Sequence, residues 1–269
     1  MKYAICNETF EGWDHARVCE TVAELGYGGL EVAPFTLAPL ITDVSAARRA
    51  ELRRDAEKAG IAIIGTHWLL AKTTGFYLTT PDAAVRAKTG DYFAALAQAT
   101  ADLGGNLMVL GSPLQRNLLP GVTESQADDF ACDTLARCLP TLEKTGVTIC
   151  LEPLGPSETN YMNTAAHATR LIERLNHPRI QLHLDVKAMS SEATPIPELI
   201  AANKAHTFHF HANDPNCRGP GFGDMDFKQI FRALRDSQYE GWVSVEVFDY
   251  SPDPVTIARE SIRYMKECQ

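Results

Sequence analysis

Eight short runs rich in β-branched and other apolar residues recur along the chain, each separated from the next by a longer stretch with helical periodicity. This alternation limits the fold more than any other feature. The runs are YAIC (3–6), GLEVA (29–33), AIIGTH (62–67), NLMVLGS (106–112), VTICLEPL (147–154), IQLHLDV (180–186), HTFHFHAND (206–214) and WVSVEVFD (242–249). Among the intervening stretches, Phe227, Ile230, Phe231 and Leu234 share one helical face, and Asp253-Pro254 reads as a cap followed by proline in the first turn. DDFACDTLARCLPTLEKTG (128–146) reads as one helix. Strands alternating with helices imply right-handed parallel β-α-β units, and eight units in 269 residues imply one closed (β/α)8 TIM barrel over residues 1–269. The competitor is an open doubly wound sheet, which usually carries a glycine-rich turn after its first strand; ICNETFEGW contains no G-x-G-x-x-G. No linker or low-complexity segment divides the chain. The long connection AKTTGFYLTTPDAA (71–84) reads as a cover over whatever the barrel mouth binds.

Charge and cysteine usage remove several classes of function. With 34 acidic against 25 basic residues, the net charge is −9 and no Lys/Arg block occurs. Nucleic acid and anionic membrane surfaces are therefore poor partners, since both need a cationic footprint. Seven scattered cysteines without C-x-x-C give neither a disulfide framework nor a structural zinc site, and fit a reducing cytoplasm. No apolar run approaches the length of a membrane span, and no P-loop, G-x-S-x-G or H-E-x-x-H occurs.

In a barrel, chemistry sits where strands end. The third run ends in His67, and the fifth to eighth carry Glu152, Asp185, His211 and Glu246 at or near their ends. Three carboxylates and an imidazole in one mouth are costly to bury unless a cation lies between them. Such an acid-rich, thiol-free set suits one divalent ion of the Mn, Co or Mg type, with zinc a further option. The alternative is a buried ionic network without chemistry.

LEPLGPSETNYMNTAAHA, LHLDVKAM, FHFHANDPNCRGPGFGDMDF and WVSVEVF make the chain, nearly end to end, resemble the xylose isomerase-like TIM barrels described as sugar phosphate isomerases/epimerases, and within them the ketose 3-epimerases. The resemblance implies that Glu152, Asp185, His211 and Glu246 bind the metal. It also implies that Glu152 and Glu246 are an acid/base pair on opposite faces of a ketose, one removing a proton beside the carbonyl and the other returning it. Glu158 matches a position near the substrate, and Arg218 one that reaches a metal ligand or the substrate; His67 and Lys187 join them as candidate substrate contacts. Loop 212–227 could instead hold a phosphate. The chain departs from the family at Ala188, where relatives carry a substrate-contacting histidine, and at Lys187, an added cation.

His183 and His209 read as core hydrogen-bonding residues, Glu31 as a pocket candidate, and His15, His167 and His177 as surface residues. The expected activity is that of a metal-dependent sugar isomerase or epimerase on a small-molecule sugar or sugar-derived substrate, with homo-oligomerisation left open. A metal-dependent lyase or dehydratase acting on a keto-inositol or keto-glycoside is the alternative. A phosphodiesterase of the endonuclease IV kind would need a basic face that this chain lacks.

Overall fold

All eight runs form strands in the computed structural model, which describes residues 1–269: β1 (Lys2–Cys6), β2 (Gly29–Val32), β3 (Ala62–Thr66), β4 (Leu107–Leu110), β5 (Thr148–Leu151), β6 (Ile180–Asp185), β7 (Thr207–Ala212) and β8 (Trp242–Val245). Each pairs parallel with the next, and β8 pairs with β1, closing the barrel in sequence order. Ten helices connect them: α1 (His15–Glu24), α2 (Ala46–Ala59), α3 (Ala83–Asp102), α4 (Glu124–Ala136), α5 (Leu139–Thr145), α6 (Ala165–Leu175), α7 (Val186–Met189), α8 (Ile196–Ala202), α9 (Phe227–Asp236) and α10 (Pro254–Cys268). Side chains of Asp14, Ser45, Asp82, Thr123 and Asp253 accept hydrogen bonds from first-turn amides and start α1, α2, α3, α4 and α10. The stretch 128–146, expected as one helix, is split between α4 and α5. Pro140 lies in the first turn of α5 and has no N–H to continue the ladder from α4.

The main apolar core lies between the strands and the helices, while Ala4, Ile64, Leu107, Val109 and Cys150 fill the barrel's interior. Two departures from regular pairing decide what else faces inward. Between β2 and β3 the partners run Leu30 with Ile63, then Glu31 with Gly65, stepping over Ile64. Between β6 and β7 they run Leu182 with Thr207, then His183 with His209, stepping over Phe208. An extra residue moves every later side chain to the other face of the sheet. Gly65 and His67 therefore share a side with Glu31, and His209 and His211 share a side with His183 and Asp185. The displaced neighbours confirm this: Thr66 bonds Thr100 of α3 at 2.9 Å, and Phe210 joins the outer core.

No helix is long and apolar enough to cross a membrane.

Candidate active site

Cys150 belongs to the barrel's interior cluster, so Glu152, two residues on, faces the same way one level higher, at the mouth. Asp185 closes β6, His211 lies near the end of β7, and Glu246 follows β8. All four are buried. Glu152, Asp185 and His211 each present a donor atom within 4.8 Å of the others, together with His183, one register deeper on β6. Glu246 joins them through His211 Nδ1, which donates to its Oε2 at 3.1 Å. The other nitrogen of His211 lies 3.2 Å from Glu31 Oε2, and His209 Nε2 meets the same oxygen at 2.9 Å. Glu31, expected as a pocket residue, is fully buried beneath the mouth and holds His211 from behind, an arrangement by which a second carboxylate can orient a metal-binding imidazole.

The electrostatics are strained. Burial, with the neighbouring charges of Glu246 and Asp185, raises the Glu152 carboxyl well above the ordinary range. Burial and Glu246 push Asp185 up to about 6. Burial would raise Glu246 too, but the adjacent His211 outweighs it and holds Glu246 down. His211 rises in turn: burial opposes its charge, and Glu246 and Glu31 overcome that opposition. Three crowded buried carboxylates of which two are pushed toward protonation are what a divalent cation would relieve. His183 is completely buried and neither ring nitrogen has a hydrogen-bond partner, so the expected core hydrogen-bonding role does not hold for it; His209 does play that role. A buried imidazole with both nitrogens free, beside oxygen donors, is open to coordinate a cation.

Glu152 and Glu246 line one cavity of about 300 Å³, walled also by Trp68, Gly111, Glu158 and Phe248. A larger cavity of about 520 Å³ lies between the loops after β1 and β2 and contains none of the donors named above. Gly111 is what makes room for Glu152, since a Cβ there would lie 1.5 Å from Glu152 Oε2. Behind Glu152, the buried Arg116 donates to its backbone carbonyl at 2.6 Å. Asn213 steadies Asp185, donating to Oδ2 at 2.5 Å while its own Oδ1 accepts from the Lys187 amide at 2.8 Å. Asp185 in turn caps α7 through the Ala188 amide at 2.7 Å.

Of the four candidate substrate contacts, only Glu158 lines the cavity. Lys187 stands beside it, its Nζ 2.8 Å from Glu158 and 4.7 Å from the Phe248 ring centre. His67 is fully buried and faces Glu8 at 2.8 Å, not the open cavity. Cys6, Glu8, His67 and Glu246 form a second compact donor group, but the bonds from His67 to Glu8 and from Trp68 to Glu246 already tie it together. Arg218 is more than a third exposed and pairs with Asp249 at 2.8 Å. Loop 212–227 is stitched inward: the amides of Asn216 and Met225 donate to the Asp214 carboxylate, so they do not present an anion cradle. Segment 71–84 reaches the cavity through Ala71 and Lys72. His167, read as a surface residue, is buried and bonded to Asp128 at 2.8 Å.

The sequence reading missed Trp68, Gly111, Asn213, Arg116 and the donor role open to His183. The one available signal was Gly111 itself, a lone glycine at the end of an apolar strand, where close approach of another group is a standard reason for it.

A family model described as Xylose isomerase-like TIM barrel matches residues 19–268. Over the full length of both chains the protein is 24% identical to a 3-dehydro-D-guloside 4-epimerase of Escherichia coli. It is 29% identical to a D-psicose 3-epimerase of Agrobacterium fabrum over 92% of this chain and 85% of that one. The crystal structure of a 3-keto-D-glucoside 4-epimerase from E. coli superposes with a TM-score of 0.86 at 22% identity, covering all of both chains.

Proposed function

The chain belongs to the xylose isomerase-like TIM barrels, and from that membership together with the two buried mouth glutamates we propose that it is a divalent-metal-dependent sugar epimerase or isomerase. It acts on a keto sugar by moving a proton at the carbon beside the carbonyl. The observation that carries this reading is the shared cavity of about 300 Å³, which is large enough for one sugar ring and has Glu152 and Glu246 in its wall beside the donor cluster. Relatives named as epimerases of psicose and of a dehydro-guloside support the reaction class.

Glu152, Asp185, His211 and Glu246, with His183 beside them, would hold one ion of Mn, Co or Mg, zinc being the further option. When bound, it supplies the electrophile that stabilises negative charge on the substrate's oxygens. The rest is the work of side chains. One glutamate takes the proton from the C–H bond and the other returns one. Return to the opposite face of the same carbon inverts it; return to the neighbouring carbon isomerises aldose and ketose. Glu158, in the cavity wall and paired with Lys187, would meet the substrate's hydroxyl groups. Arg218, paired with Asp249, and His67, paired with Glu8, lie outside the cavity wall.

The same proton abstraction followed by loss of a substituent would make the protein a lyase, and product structure separates the two outcomes. The test is to incubate the metal-loaded protein with D-psicose, L-ribulose and a 3-keto-glucoside and to identify products by NMR. A stereoisomer or an aldose–ketose pair at unchanged mass supports the proposal. An unsaturated product at lower mass replaces it with the lyase reading.

A further inference from the structure

Trp68 follows β3 with a left-handed backbone, φ 53°. That region is unfavourable for a bulky L-residue and persists only where the surroundings hold it in place, most often at a functional site. Here the surroundings are explicit. The indole stacks on Phe248, with ring centres 5.8 Å apart at 21°, and Phe35 packs against it at 5.8 Å. Thus held, Nε1–H donates to Glu246 Oε1 at 2.6 Å. The other oxygen of Glu246 is turned to His211. Glu152 has no such grip: the nearby His183 Nε2 is 3.8 Å from its Oε1, outside hydrogen-bond reach.

We propose that Trp68 is a positioning residue for Glu246. Its indole N–H fixes the rotation of that carboxylate and makes the two glutamates of the cavity unequal, since Glu152 has no side-chain donor of this kind. An indole N–H suits this task because it donates only and does not ionise near neutral pH, so it constrains the carboxylate without competing for the proton being moved. It also explains why a large aromatic residue occupies a strained position in the cavity wall: the packing of Phe35 and Phe248 and the bond to Glu246 together select one ring orientation. The inference rests on the reading of Glu246 as half of the acid/base pair.

Two measurements test it. The first needs no substrate. The chain has three tryptophans, so a proton–nitrogen spectrum of the full protein shows three indole signals, and Trp68→Phe identifies the one from Trp68. A bond to a carboxylate places that signal downfield of the other two, and Glu246→Gln moves it upfield. A signal that ignores Glu246→Gln overturns the proposal. The second measurement installs β-(3-benzothienyl)alanine at position 68, which keeps the ring's shape and stacking and replaces only N–H by sulfur. Loss of one hydrogen bond to a charged group should lower kcat about 10- to 100-fold, with KM and bound metal unchanged. Unchanged kcat, or a loss confined to KM, overturns the positioning role. A shifted indole signal in a wild-type protein that turns over no keto sugar instead counts against the activity assigned to the cavity.

Discussion

Replacing Gly111 with alanine probes the site through a single methyl group. The new Cβ would lie 1.5 Å from Glu152 Oε2 and 2.7 Å from its carboxyl carbon, whereas real contacts of this kind do not fall below 3.0 Å. The carboxylate must therefore retreat by about 1.5 Å. Glu152 borders a cavity, so its side chain can move, and the cost to folding is that of an altered rotamer, on the order of 0.5–1.5 kcal/mol. For a chain of this size that is a Tm change of roughly 1–6 °C. The effect on chemistry is larger, because a displacement of about 1 Å of a reacting group costs on the order of 100-fold in rate. Gly111→Ala should therefore fold, lose only a few degrees of Tm, and turn over a keto sugar roughly 100-fold more slowly or worse. The assay is product formation by NMR alongside a thermal melt. Activity within threefold of wild type would refute the claim that the position of the Glu152 carboxylate is critical.

Other perturbations separate the roles of the cluster. Glu152→Gln and Glu246→Gln each keep shape but not proton transfer, and each should reduce turnover by at least about 1000-fold; near-full activity in either would end the two-glutamate mechanism. His211→Ala should lower the content of divalent metal in purified protein, read by elemental analysis, and unchanged content would remove it from the ligand set. Asp185 predicts a pH dependence in metal-free protein. Its folded pKa of about 6 is above the ordinary 3.8, so between those values the folded state binds more protons than the unfolded one. Its contribution to stability therefore falls as pH rises through that window and stays low above it. Asp185→Asn removes this effect, so the Tm of the variant minus that of wild type should increase from pH 4 to 7; a decrease would contradict the sign.

Much of this could be read from the sequence because it follows from local pattern. Eight apolar runs with helical spacers gave the barrel, and Glu152, Asp185, His211 and Glu246 stood out as charges at the ends of strands that otherwise bury their side chains. What the pattern could not supply was parity. Ile64 and Phe208 look like ordinary strand residues, yet pairing steps over each of them, and only that displacement turns His67 and His211 to the barrel's inside. Contacts set by distant loops were equally hidden. The bond from Trp68 to Glu246 spans 178 positions, and the room Gly111 leaves for Glu152 depends on how β4 and β5 sit side by side. Lys187, read as an added cation, finds its partner in Glu158, on the loop after β5, far from it in sequence. Arg218 is drawn outward by Asp249, on a loop that is a separate segment of sequence.

The central claim is proton abstraction beside a carbonyl by the cavity's glutamates, and solvent exchange measures it most directly. The metal-analysed protein would be incubated in D2O with ketoses, ketose phosphates and keto-glucosides, with and without Mn, Co or Mg, and deuterium followed by NMR. Deuterium entering at a carbon next to a carbonyl, dependent on the added ion and lost in Glu246→Gln, is the expected result. Product formation with no solvent deuterium at such a carbon, or exchange that persists in both glutamine variants, would contradict it.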